Sequence, residues 1–154
     1  MKYIVILLLG LFLAGCDVAV EVDTAAETAA VKAVLESYVK AVINEDMETY
    51  SKNVSHDAAM VNFGGFGDPI NGWAALEDVM EQQNVALSET HIDVSDLKIH
   101  VSPDGKLAWA TCLWTLAAKM GEDPITLPLR CTWVLEKREG NWVIVHFHKS
   151  MAAG

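Results

Sequence analysis

Gly140-Asn141-Trp142-Val143-Ile144-Val145-His146-Phe147-His148-Lys149-Ser150 reads as a turn that launches a strand. Successive strand side chains alternate faces, so Trp142, Ile144, His146 and His148 are expected on one side and Val143, Val145 and Phe147 on the other. Both sides are apolar. A strand covered on both sides needs helices over one face and a further layer, such as a second subunit, over the other.

Outward from this strand the same two-residue period recurs. Ile92 to Val101, Leu107 to Ala118 and Leu127 to Lys137 read as strands, divided by Pro103-Asp104-Gly105, by Gly121 to Pro124 and by Glu139-Gly140. Four strands joined by tight turns form an antiparallel meander. Before Ile92 the period is helical. Thr24 and Glu27 have capping-box spacing, and Ala30, Val31, Val34, Leu35, Tyr38 and Val42 carry an apolar stripe to about Asn44. Asp46 is placed to cap a short second helix. A strand from Ala58 to Phe63 and a glycine-rich loop precede a third helix from Trp73, whose stripe is Trp73, Leu76, Val79, Met80 and Gln83. Helices segregated from an antiparallel sheet give an α+β fold, with three N-terminal helices packed on one face of a curved sheet.

This order of elements resembles the cone-shaped fold of nuclear transport factor 2-like proteins, including the SnoaL-like and ketosteroid-isomerase-like domains. The resemblance spans Thr24 to Ser150. Gly140-x-Trp142 followed by Val145-His146-Phe147-His148-x-Ser150 is similar to the last strand of calcium/calmodulin-dependent kinase II association domains and related SnoaL-like domains. It implies a pocket wrapped by the sheet and closed by the helices, and an outer sheet face that pairs two subunits. Ketosteroid isomerases carry an acidic base and an acid donor pair in that pocket, and no matching Tyr/Asp set stands out here. Kinase association domains line it with arginines, where this chain has Trp114 and Trp133. That difference argues against phosphate, carboxylate or acidic-peptide binding.

With turns centred at Gly121-Glu122 and Glu139-Gly140, Cys112 pairs with Cys131, Trp114 with Leu129, Cys131 with His148, and Trp133 with His146. Directly opposed residues share a face. The cavity face is then Cys112, Trp114, Leu129, Cys131, Trp133, Ile144, His146 and His148. Trp109, Thr111, Leu113, Arg130, Thr132, Val134, Val145 and Phe147 form the outer face. A slip of one residue would exchange the two sets. Tyr38, Tyr50, Phe63 and Trp73 are expected to join Trp114 and Trp133 around an apolar ligand.

His146 and His148 are the candidates for acid–base work, since histidine titrates near neutral pH; satisfied polar groups in the sheet are the equal alternative. With Cys112 and Cys131 they would complete a tetrahedral set, but the cysteines have no close-spaced ligand motif, and no metal or cofactor is expected. Cys112 and Cys131 are open to two readings, a cross-strand disulfide and a pair of buried thiols.

At the other end, Lys2, the apolar run Ile4 to Leu13 and Leu13-Ala14-Gly15-Cys16 form a targeting segment too short to remain as a membrane span. Leu-Ala-Gly-Cys resembles the bacterial lipobox. That resemblance implies loss of residues 1–15, lipidation of Cys16, a tether over residues 16–23, and a domain over residues 24–154 facing the periplasm. An ordinary signal peptide cut near Ala14-Gly15 is the alternative. Each buried acyl methylene adds about 0.8 kcal/mol, so several chains would anchor the protein firmly. Asp17 resembles the residue that retains lipoproteins in the inner membrane. Removal of residues 1–15 leaves 139 of the 154 residues, enough for one domain, with formal charge −11 from 10 basic and 21 acidic residues. Such acidity opposes binding to nucleic acid and to anionic lipid surfaces.

The expected function is a membrane-anchored, dimeric domain that holds a small apolar or weakly polar molecule without catalysis. An isomerase, cyclase or hydrolase using His146 or His148 is one alternative. A dimeric protein-interaction module is the other.

Overall fold

The structure, a computed structural model, describes residues 21–152. The targeting segment, Cys16 and Asp17 lie outside the described residues. Helix α1 (Thr24–Ile43) begins where Asp23 Oδ1 accepts from the Ala26 amide at 3.0 Å, and buries Val31, Leu35, Tyr38, Ala41 and Val42. Asp23, rather than Thr24, is therefore the cap. Glu27 is drawn away from the helix end instead: its carboxylate accepts from Lys137 Nζ at 2.5 Å and from Trp142 Nε1 at 2.8 Å. Those bonds, led by Lys137, hold the Glu27 carboxyl below its ordinary value and tie α1 to the sheet.

Helix α2 (Met47–Asn53) is capped by Asp46, whose Oδ1 accepts from the Thr49 amide at 2.9 Å. The expected strand at Ala58 to Phe63 is reduced to β1 (Val61–Asn62), paired with β2 (Ile70–Asn71). Helix α3 (Gly72–Ala86) buries Leu76 and Met80. The main sheet follows in chain order: β3 (Leu87–Val101), β4 (Leu107–Met120), β5 (Asp123–Arg138) and β6 (Asn141–Ser150), all antiparallel.

Each strand is as long as its neighbours and turns allow. The β5–β6 turn has φ of 50° at Glu139 and 85° at Gly140, the mirror-image turn that matches strand twist. β5 starts at Asp123, earlier than the sequence pattern predicts, and takes in Pro124 and Pro128. Those prolines are tolerated because β6 pairs with β5 only from Arg130 onward, leaving the first half of β5 as an edge. In β3 the register shifts twice, and Glu89 and Asp96 each take a φ of 53° there. Such bulges bend a strand and curl the sheet.

The decisive irregularity lies in β6. Leu135 pairs with Ile144 and Val134 with His146, so Val145 is an extra residue, a β-bulge. From there the faces reverse. Cys131 opposes Lys149 rather than His148, and Trp133 opposes Phe147 rather than His146. Phe147 is buried in the core, whereas His148 is exposed. The bulge is held from outside the sheet. Phe147 N donates to Asn62 Oδ1 at 2.8 Å, and Phe63 N to Phe147 O at 2.9 Å. Lys149 N donates to Phe63 O at 3.0 Å, and Ser55 N to Ile144 O at 2.8 Å. The segment from Val54 to Phe63 thus covers the free edge of β6 in parallel.

Asn62 is fully buried, and its oxygen stands where a ladder carbonyl would otherwise be. Asn62→Ala should therefore cost about 1–3 kcal/mol by leaving the Phe147 amide unpaired. Urea unfolding measures this; an unchanged midpoint would show that the bulge does not depend on Asn62.

Candidate functional site

The concave face of the sheet carries Cys112, Trp114, Leu129, Cys131, Trp133 and Ile144, all buried, as the registers from both turns require. The bulge adds Phe147 and Lys149 to this face and removes His146 and His148. Between that face, α3 and the Gly64–Phe66 loop lies a cavity of about 370 Å³. Its walls are mainly apolar, with Leu76, Met80, Leu116, Leu127, Leu129 and Trp114 prominent among them. Among the described residues, Lys149 is the one charged residue on its lining. A second recess of about 490 Å³ lies on the other side of Trp114, against Leu35 and Val39 of α1. The Trp114 indole separates the two.

Lys149 Nζ lies 4.6 Å from the ring centroid of Trp114, 4.8 Å from Phe147 and 5.5 Å from Tyr38. It donates to the Tyr38 hydroxyl at 3.2 Å. Among the described residues no carboxylate pairs with it. The residue keeps some exposure, yet the ammonium group is closed in by rings, and burial holds it below the ordinary lysine value of 10.5. Each ring face contributes about 0.5–2 kcal/mol to a cation, less than the several kcal/mol that losing its water costs. The titratable groups around Lys149 are Tyr38 of α1, Tyr50 of α2, and Cys112 and Cys131. Burial pushes both tyrosines upward, so they stay neutral. The Cys112 thiol is also pushed up, by its bond to Cys131 and by burial.

Several expected site residues have other places. Tyr38 and Tyr50 are buried behind the ammonium, their ring centroids 5.1 Å apart, and the Tyr50 hydroxyl has no hydrogen-bond partner. Trp133 packs 5.5 Å from Trp114 and lines the second recess. Trp73 is outside the cavity lining and stacks on His56 at 4.1 Å. Phe63, 41% exposed, faces outward and meets His146 and His148 edge-on at 5.8 and 5.7 Å. These three line a shallow outer groove. His146 Nδ1–H donates to the Val61 carbonyl at 2.6 Å, which makes that histidine a clasp between β6 and β1.

The placement of His146 and His148 in the cavity is thus corrected by the bulge, as is Phe147's placement outside. That of Phe63 is corrected by its position in the segment that covers the edge of β6. The tetrahedral His/Cys set cannot assemble across the sheet, and no group of metal-binding side chains is found among the described residues. Cys112 and Cys131 are directly opposed and both are free thiols. Sequence periodicity missed Lys149 because strict alternation puts it on the outer face, toward the expected partner subunit. The signal that could have found it was Asn62, a polar residue in an apolar strand with no ordinary strand role.

The family model described as the SnoaL-like domain matches residues 31–154. Comparison with curated proteins finds no match. Among solved structures, a candidate dehydratase of the nuclear transport factor 2-like family from Streptomyces avermitilis superposes with a TM-score of 0.77 at 14% identity, covering 84% of this chain and 99% of its own. A nuclear transport factor 2-like superfamily protein from Salmonella enterica gives 0.76 at 18% identity, covering 84% and 94%. A candidate calcium/calmodulin-dependent protein kinase II association domain from Xanthomonas campestris gives 0.68 at 16%, covering 79% and 85%. At such identities the likeness is one of fold.

Two measurements probe the site. Trp114→Ala should cost about 3–5 kcal/mol in unfolding free energy, since it joins the two recesses into one void. Lys149 should also leave a mark on stability against pH. Its folded value lies below 10.5, so between the two values the unfolded chain binds more protons and stability rises with pH. Compared with Lys149→Met, the wild-type protein should therefore gain in melting temperature from neutral pH up to the ordinary lysine range. A difference that stays constant with pH would mean that the ammonium is solvated.

Proposed function

We propose a binding function for this chain, which belongs to the SnoaL-like domain family: it holds a small, largely apolar molecule in the cavity between α3 and the sheet, without transforming it. The observation that carries this reading is a cavity of about 370 Å³ with mainly apolar walls, within the range of small-molecule sites. Against catalysis at this site, the two histidines stand outside the cavity and, among the described residues, no carboxylate lines it. The names of structural relatives include a candidate dehydratase, but among the described residues neither a histidine nor a carboxylate lines this cavity to support that activity.

The proposal extends to the setting of the domain. Cys16 in Leu-Ala-Gly-Cys supports lipid anchorage at the periplasmic side of a bacterial membrane, and Asp17 favours the inner membrane. The outer sheet face supports a homodimer, since Leu107, Trp109 and Leu113 are 40%, 43% and 44% exposed there. Isolated exposed apolar residues are ordinary, but three along one face of one strand, interrupted only by Thr111, form a patch. Thr111, Thr132 and Arg130 would give that patch its polar partners.

Native mass spectrometry of the delipidated protein tests cavity and assembly together. A dimer carrying a bound small molecule is expected, and Trp109→Glu should give a monomer that still carries it. A wild-type monomer would remove the outer-face reading, and a dimer that takes up no hydrophobic ligand would remove the cavity reading. Cys16→Ser should move the protein from the membrane fraction to the soluble fraction.

A further inference from the structure

We infer that the cavity selects a carboxylic acid with an aliphatic or aromatic body, and that Lys149 receives its carboxylate. The inference rests on the cavity being a binding site and names the chemistry of its ligand. An ammonium group has three hydrogens to donate, and Lys149 has one protein acceptor, the Tyr38 hydroxyl at 3.2 Å. No carboxylate among the described residues neutralises this cation. Elsewhere the protein does pair its partly buried cations: Lys137, at 28% side-chain exposure, meets Glu27 at 2.5 Å, and Arg138 meets Asp57 and Glu136 at 2.7 and 2.8 Å. Lys149 is the exception, and it lines the apolar cavity.

The rest of the lining sets the remainder of the ligand. Leu76, Met80, Leu116, Leu127 and Leu129 offer it no charge and no strong hydrogen bond, and the polar side chains on the lining, exposed Gln82 and half-buried Gln83, stand near the end of α3, so the body is largely hydrocarbon, with the charged group at the Lys149 end. A single cation matches a single negative charge. A dianionic phosphate would keep an unpaired charge in an apolar wall. With the Tyr38 oxygen taking one ammonium hydrogen, two remain to donate to the carboxylate. The three surrounding rings exclude water, which strengthens the ion pair relative to one at the surface. Trp114 and Trp133, the arginine replacements in the sequence, therefore do not rule out an acid. The cation comes from the last strand, turned inward by the bulge at Val145.

The test compares decanoic acid with 1-decanol, equal in chain length, binding to the whole mature protein. Tryptophan fluorescence is the readout, since Trp114 lines the cavity. The acid should bind about tenfold or more tightly than the alcohol, the worth of one charge-assisted hydrogen bond. Lys149→Met should remove that preference by weakening the acid alone, and Lys149→Arg should retain it, which separates loss of charge from loss of fold. Equal binding of acid and alcohol would overturn the carboxylate inference while leaving the cavity as a ligand site. Failure of both to bind would overturn the two together. Preservation of the acid preference in Lys149→Met would place the anion elsewhere.

Discussion

The Phe147 amide donates to the Asn62 side chain, and the orientation of half of the last strand depends on that bond. An extra residue in a β-ladder leaves a backbone group without its partner. Here a buried carboxamide supplies one, while Phe63 pairs with both neighbours of His148 along the same edge. The segment before α3 thus does two things at once: it covers the free edge of β6 and fixes Val145 as the bulge. Without that cover, β6 would present unpaired backbone groups to any other strand.

The reversal decides what kind of wall the cavity has. Regular alternation would have lined it with two imidazoles. The bulge replaces them with a phenyl ring and an ammonium group, which Tyr38, Trp114 and Phe147 surround. Histidines on the outer side become structural, as the bond from His146 to the Val61 carbonyl illustrates. Space for a ligand comes from a different feature. Where β5 runs past the end of β6, its prolines need no partner strand, and Leu127 and Leu129 from that overhang face α3 across the cavity. Cation and hydrocarbon therefore reach one site from two strands of unequal length.

Charge placement follows local dielectric throughout. Glu27 meets Lys137 and the Trp142 indole, and so joins the first helix to the last hairpin. Arg138 clips the Ser55–Asp57 turn to the same hairpin. These contacts brace the β5–β6 turn against the helices. Toward the other end of β6, Lys149 has no such partner among the described residues, and the energetic tension there is what a ligand would relieve.

Much of this was legible from local pattern. Two-residue alternation, helical stripes and turn residues are short-range properties, so they reveal the four-stranded meander, three helices and the Cys112–Cys131 and Trp114–Leu129 pairings. Asp46 could be read as a cap because its acceptor lies three residues from the amide it serves. Glu27 could not be read so simply, for its partners Lys137 and Trp142 are more than a hundred residues away. The amino-acid sequence by itself determined the fold class and the identity of most of the core. Only the tertiary structure decided which face of the last strand looks inward, because a bulge forms where distant groups such as Asn62 and Phe63 meet its backbone, and no periodicity within the strand records their presence.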